Sequence, residues 1–141
     1  DHRDLHAFPT RRSADLDDSI VRGNTSREIV RMLNDFGAKE VYFAVACPPV
    51  KSPCFYGVDM PTKSELIAGN MNEAEIENYL EVNALLYQKI DDLVEAVTRK
   101  GDHHIDTPCI ACLDGNYIAN DIDDAKIAQM EAMRVNDRNG K

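Results

Sequence analysis

Residues 17–27, DDSIVRGNTSR, gather into one short span the side chains that a phosphate-and-sugar site needs. Two adjacent carboxylates, Asp17 and Asp18, run into a loop holding Gly23, Asn24 and Thr25, and a helical pattern follows at once. Backbone N–H groups of a glycine-containing loop that feeds a helix N-terminus form an anion site. A phosphate alone would be repelled by the two acids, so these need a second, non-anionic target. Ionised carboxylates only accept hydrogen bonds and ligate hard cations through oxygen, which makes ribose hydroxyls or Mg2+ that target. Phosphate on one side and hydroxyls or metal on the other describe a ribose 5-phosphate in an activated form.

A loop of this kind is held out by a buried parallel strand and closed by a helix. Thr25-Ser26-Arg27-Glu28 has the form of a capping box with Thr25 as N-cap. Ile29, Leu33 and Phe36 recur at near-helical spacing, with Val30 beside them, and Gly37 is a natural stop, which predicts a helix over 26–36. The apolar run VYFAVA at 41–46 predicts a buried parallel strand, so the order strand, loop, helix, strand fits a βαβ crossover. Pro48, Pro49 and Pro53 force an extended loop ending in Cys54-Phe55-Tyr56-Gly57. Thr62 caps a short helix over 63–68, and Asn72 starts another that runs through Leu80. Ile90, Leu93, Val94 and Val97 make an amphipathic stripe that stops near Gly101. Residues 102–116 read as loop, residues 123–135 as a last helix with a weak stripe, and residues 136–141 as a frayed end.

The opening segment does not supply the strand. DHRDLHAFPTRRSADL mixes charges around Pro9 and has no period of two or of 3.6. It resembles a translated sequencing-adapter peptide, so residues 1–16 are expected to be a non-native segment making no specific contacts, with the fold beginning at Asp17.

With 141 residues the chain forms one domain with a modest core, and 43% hydrophobic against 6% aromatic residues suits an aliphatic interior. A net charge of −9 excludes nucleic acid and acidic membrane surfaces as partners and requires local donors for any anionic substrate. Apolar runs fall short of the roughly 20 residues of a membrane span, and no secretory apolar region is present. The expectation is a soluble, cytoplasmic protein. Four cysteines (Cys47, Cys54, Cys109 and Cys112) without an export signal argue against a disulfide framework and leave buried thiols or metal ligands. The C-x-x-C at 109–112 is a weak signal by itself, open to zinc with His103 and His104 upstream, to thioredoxin-like redox chemistry, or to no role. Asp91-Asp92 and residues 121–124 read as solvated helix starts.

Three segments together carry a resemblance. DDSIVRGNTSR resembles the phosphoribosyl-diphosphate (PRPP) motif of type I phosphoribosyltransferases. PPVKSPCFYGVDMPTKSELIA at 48–68 and PCIACLDGNY at 108–117 are similar to glutamine PRPP amidotransferase, in the same order. The resemblance implies an α/β fold: a partial type I phosphoribosyltransferase fold, with a parallel sheet and flanking helices, followed by a mostly helical C-terminal segment. Residues 17–141 would then be the C-terminal portion of that domain in an amidophosphoribosyltransferase. The family makes 5-phosphoribosylamine from PRPP and glutamine-derived ammonia, the first step of de novo purine biosynthesis.

By the same resemblance Asp17 and Asp18 contact the ribose and Mg2+, and Ser19, Ile20, Val21, Arg22, Gly23, Asn24 and Thr25 form the 5′-phosphate loop. Gly23 admits close approach of the backbone, Thr25 adds a hydroxyl, and Arg22 faces either phosphate or solvent. Where the family commonly has Thr, this chain has Asn24, whose amide keeps a donor. Cys54, Cys109 and Cys112 match three of the four ligands of a [4Fe–4S] cluster, with the fourth upstream, while Cys47 matches none. Purine nucleotides as inhibitors, a homo-oligomeric full-length enzyme and an inactive isolated fragment are further implications; no catalytic acid or base falls within the chain. The rival readings are a non-catalytic PRPP- or nucleotide-binding regulator of the same fold and a different phosphoribosyltransferase. The acidic chain lacks the basic nucleic-acid-binding part of the first, and the CFYG and CIAC segments have no place in the second.

Overall fold

Val41, Phe43 and Val45 alternate with less apolar neighbours, and that period of two makes residues Val41–Val45 a strand, β2, whose three bulky side chains are fully buried on one face. The computed structural model describes residues 13–99, 105–119 and 122–139. In it β2 lies between β1 (Ser13–Asp17) and β3 (Ala84–Tyr87), both parallel to it, in the order β1-β2-β3. Asp17 pairs with Val45 and Val45 with Tyr87, so the carboxyl ends of the three strands lie level. The helix α1 (Asn24–Asp35) crosses from β1 to β2 and sets Val30 and Ser26 against the sheet. Two more helices, α2 (Ile67–Asn70) and α3 (Glu73–Leu80), lead into β3 and close the same face. Ile20, Val30, Phe43, Ile67, Ile76 and Leu80 form the core between sheet and helices.

The strand β1 corrects the expectation that nothing before Asp17 is ordered against the fold. Ser13 donates its N–H to the Glu40 carbonyl at 2.8 Å, and residues 13–16 pair with β2 throughout. Parallel pairing uses backbone groups that any non-proline residue offers. The side chains of β1 do not follow the pattern of a buried strand, and that is why the sequence concealed it. Asp15 lies opposite Phe43 on the core-side face, while Leu16 lies on the other face and is 74% exposed. Residues 1–12, the rest of that segment, lie outside the described residues.

Other expectations shift in detail. The strand β3 was not anticipated, because ALLY has no β-branched residue. It forms because Asn83 holds it in register, donating its N–H to the Val41 carbonyl and accepting the Val41 N–H through Oδ1, both at 2.8 Å. The helix expected over 63–68 is broken into a 3-10 turn, Lys63–Glu65, and α2, with Leu66 extended between them. Ile67 donates to the Val21 carbonyl at 2.9 Å, and this bond draws the second piece towards the loop after β1. The helix at Asn72 forms as read, with Asn72 accepting from the Glu75 N–H at 3.0 Å and Glu75 accepting from the Asn72 N–H at 2.7 Å.

The amphipathic stripe becomes α4 (Ile90–Thr98), and the stop near Gly101 lies outside the described residues. A short helix, α5 (Ala111–Asp114), stands where loop was expected, and α6 (Asp124–Asn139) continues past the expected fray point. Among the described residues no helix is long and apolar enough to cross a membrane.

Phe43 is wholly buried at the centre of this core. Phe43→Ala should lower the unfolding free energy by about 3–5 kcal/mol, whereas Leu16→Ala should change it by less than about 0.5 kcal/mol. Urea unfolding of the two variants checks this, and equal losses would contradict the described exposure of the outer face of β1.

Candidate functional site

The loop after β1 runs from the last sheet residue, Asp17, to Gly23, and α1 begins immediately beyond it. Residues 17–19 and 21–26 line a cleft of about 390 Å³ there, at the carboxyl end of the sheet. Crevices outside the carboxyl ends of parallel strands are where α/β sheets bind ligands. Of the loop residues singled out from the sequence, Asp17, Asp18, Ser19, Val21, Arg22, Gly23, Asn24 and Thr25 all border the cleft. Ile20 does not. Its side chain is only 2% exposed and belongs to the core, where it anchors the loop from beneath.

The capping box expected at Thr25 and Glu28 is not formed. The cap residue is Gly23, no side chain caps the helix, and Glu28 pairs instead with Arg31 at 2.8 Å. The first helical hydrogen bond runs from the Arg27 N–H to the Gly23 carbonyl at 2.9 Å. The N–H groups of Gly23, Asn24, Thr25 and Ser26 therefore have no acceptor among the described residues. Orphan donors at the positive end of a twelve-residue helix suit an anion.

Gly23 is fixed by two independent constraints. Its φ of +79° lies in the left-handed region, and a Cβ there would come within 2.7 Å of Ile67 Cδ1 and 3.2 Å of Tyr79 Cε1.

The charged groups are arranged more tightly than the sequence suggested. Neighbouring strand residues point to opposite faces, yet Asp17 and Asp18 both border the cleft because the strand ends between them. The Asp17 carboxylate accepts from the Asp18 N–H at 2.9 Å and from the Ser26 hydroxyl at 3.4 Å. Among the described residues the Asp18 carboxylate accepts only the hydroxyl of Ser19, at 3.3 Å, and it remains exposed. Arg22 turns to Glu65, donating through Nε and Nη2 at 3.3 and 2.9 Å. Glu65 also accepts from the N–H and hydroxyl of Thr62, at 3.0 and 2.9 Å. Arg27 is held by Glu81 at 3.1 Å and lies over the Tyr79 ring at 4.8 Å. The hydrogen bond to Glu81 holds its guanidinium above the ordinary arginine range, so it stays charged. Ser26, Glu65, Ile67 and Tyr79 were not singled out as site residues; Ser26 lies within the motif, just past the loop, but the others are brought to it only by the tertiary fold.

Cys47 and Cys54 lie in the loop that follows β2, and Cys112 is bonded to that loop through its carbonyl. Cys47 and Cys112 pack around Val50, Leu66 and Leu113. Burial pushes the Cys112 thiol up, and the neighbouring Cys47, Cys54 and Cys109 push it further. Burial also raises Cys47, with Asp18 adding to the effect. Cys54 accepts from the Tyr56 N–H at 3.3 Å, and Cys109 is exposed. The C-terminal segment is tied to this loop by bonds from the N–H groups of Lys51 and Ser52 to the Cys112 carbonyl, at 2.9 and 3.0 Å, and from the Tyr117 hydroxyl to the Pro53 carbonyl at 2.8 Å. Among the described residues no three Cys, His, Asp or Glu side chains stand together in a metal-holding arrangement. The three cysteines matched to a cluster thus form no closed ligand set among the described residues. His103 and His104 lie outside the described residues.

No family model matches the chain. Among curated relatives, an amidophosphoribosyltransferase of Methanothermobacter thermautotrophicus is 45% identical over 120 residues, covering 84% of this chain and 24% of the relative. That of Bacillus subtilis is 42% identical over 102 residues, covering 72% of this chain and 21% of the relative. Of solved structures, the Bacillus subtilis glutamine PRPP amidotransferase complexed with ADP and GMP superposes with a TM-score of 0.70 at 40% identity, over 80% of this chain and 25% of that one. A structure described as the allosteric regulatory enzyme of purine biosynthesis gives a TM-score of 0.71 at 38% identity, over 85% of this chain and 26% of that one. The three-stranded parallel sheet and its helices match part of these enzymes, and the chain spans about a quarter of their length.

Gly23→Ala should cost about 1–3 kcal/mol in urea unfolding, since it combines left-handed strain with a Cβ contact that obliges the Ile67 side chain to shift; a variant as stable as the parent would contradict the described turn. The thiols should also separate by pH. The thiolate is the species that alkylates, and raising the pKa lowers its fraction at a given pH. Iodoacetamide at mildly alkaline pH should therefore modify exposed Cys109 first, with Cys47 and Cys112 following only as the pH rises further. Mass mapping that found Cys112 as fast as Cys109 would contradict its burial.

Proposed function

We propose that this chain, which is homologous to part of the amidophosphoribosyltransferases, holds the ribose 5-phosphate portion of PRPP in the cleft at residues 17–26. The whole enzyme to which it corresponds would form 5-phosphoribosylamine from PRPP and glutamine-derived ammonia. One observation carries the reading: four N–H groups at the start of α1, without an acceptor among the described residues, border the same cleft as two aspartates. The N–H groups and the positive end of the helix receive the 5′-phosphate. The carboxylates face the hydroxylated and metal-bound side of the sugar. Asp17 is already engaged with Ser26 and the Asp18 N–H, so Asp18 is the carboxylate that reaches ribose hydroxyl or Mg2+.

Transfer at C1 then rests on placement and charge. Bound Mg2+ would neutralise the leaving pyrophosphate, and the loop would fix the sugar for in-line attack. Cys54, Cys109 and Cys112 are the residues that would contribute thiolates to a [4Fe–4S] cluster in the complete enzyme. That cluster's role would be structural, because the sugar chemistry moves no electrons. Purine nucleotides would act as inhibitors of the complete enzyme; in support, the Bacillus subtilis structure is one complexed with ADP and GMP.

Calorimetric titration of the 141-residue chain with ribose 5-phosphate and Mg2+ tests the reading. The parent should bind, and Asp18→Asn should weaken binding at least tenfold, about 1.4 kcal/mol, while keeping its affinity for inorganic phosphate. A parent that does not bind, or an Asp18→Asn variant that binds ribose 5-phosphate as well as the parent, would overturn it.

A further inference from the structure

We infer that Tyr79, on α3, is a positioning residue of the phosphate loop: it sets the turn at Gly23 and turns Asn24 so that its amide offers a donor, not an acceptor, to the anion. This rests on the reading of residues 17–26 as a ribose 5-phosphate site. Three contacts converge on the one side chain. Its ring edge lies 3.2 Å from where a Cβ on Gly23 would sit, so the ring packs directly against the left-handed turn. Its hydroxyl donates to Asn24 Oδ1 at 3.4 Å. Its face carries the Arg27 guanidinium at 4.8 Å, and Arg27 is in turn fixed by Glu81 at 3.1 Å. Glu81 is the left-handed residue that ends α3, with φ +61°, so the end of α3 and the first turn of α1 are tied through this aromatic ring.

The chemistry follows from the asymmetry of an amide. Asn24 has one acceptor oxygen and an NH2 with two donors. Free to rotate, it would meet a phosphate with either end, and the oxygen would repel it. With Oδ1 taken by the Tyr79 hydroxyl, the NH2 is the group left for the cleft that Asn24 borders. The cation over the ring polarises the phenol towards donation. A neutral donor at this position adds to the backbone N–H groups of the loop, because each neighbouring arginine already has its charge met by a carboxylate: Arg22 is paired with Glu65 and Arg27 with Glu81.

A double-substitution cycle separates this role from simple packing. Tyr79→Phe keeps the ring against Gly23, Ile67 and Arg27 and removes only the hydroxyl. It should weaken ribose 5-phosphate binding to the full chain by about three- to tenfold, with unfolding unchanged. In an Asn24→Thr background the residue at 24 supplies its own freely rotating hydroxyl, so Tyr79→Phe should change binding by less than about twofold; Asn24→Ser serves as a second such background. Equal losses in all backgrounds, or no loss from Tyr79→Phe in a chain that binds normally, would overturn the inference and leave the site standing. No binding by the unsubstituted chain would overturn the site and the inference with it.

Discussion

The left-handed turn at Gly23 is the constraint on which the site depends. Ile67 and Tyr79 pack so closely over it that a Cβ would force them to shift, and its dihedral angle is one that other residues adopt only with strain. Because the chain turns there without a side-chain cap, α1 starts with its first donors unpaired. Because Ile67 also donates to the Val21 carbonyl, α2 is fixed against the same loop. The loop and the three helices α1, α2 and α3 thus meet at a single residue that has no side chain, and the orphan donors are a product of that packing.

The electrostatics are local. A chain of net charge −9 has no general field to draw an anion in, and the two arginines nearest the cleft are each paired with a glutamate. What remains for a phosphate is a set of neutral donors: backbone N–H groups, hydroxyls and the Asn24 amide. Such donors cost little to preorganise when the fold already holds them, and they leave the Asp17 and Asp18 carboxylates uncompensated by a nearby cation. The pairing of the arginines also locks the surrounding elements, since Arg22 bridges to the 3-10 turn and Arg27 to the end of α3.

What was legible in the sequence was whatever depends on neighbours along the chain. The apolar alternation of β2, the Asn72 cap and the stripe of α4 follow local rules, and each formed where the residues indicated. The loop was legible because its carboxylates, glycine and hydroxyls are adjacent, and the structure brings all but the Ile20 side chain to one cleft. What was concealed depends on partners far along the chain. The strand β1 pairs through its backbone although its side chains run against the pattern, with Asp15 on the core-side face and Leu16 outward. The strand β3 is placed by Asn83 holding Val41, and Tyr79 reaches the site from 55 residues away. The capping box at Thr25 fits the local pattern and loses to the tertiary packing around Gly23.

The most direct test is a map of backbone amide resonances as ribose 5-phosphate and Mg2+ are added to the chain. The account predicts that the largest shifts fall on Gly23, Asn24, Thr25 and Ser26, with Asp18 moving only when Mg2+ is present. Shifts centred instead on the second cleft at the carboxyl ends of β2 and β3, beside Lys51, Tyr87 and Lys89, or a spectrum that does not change, would contradict it.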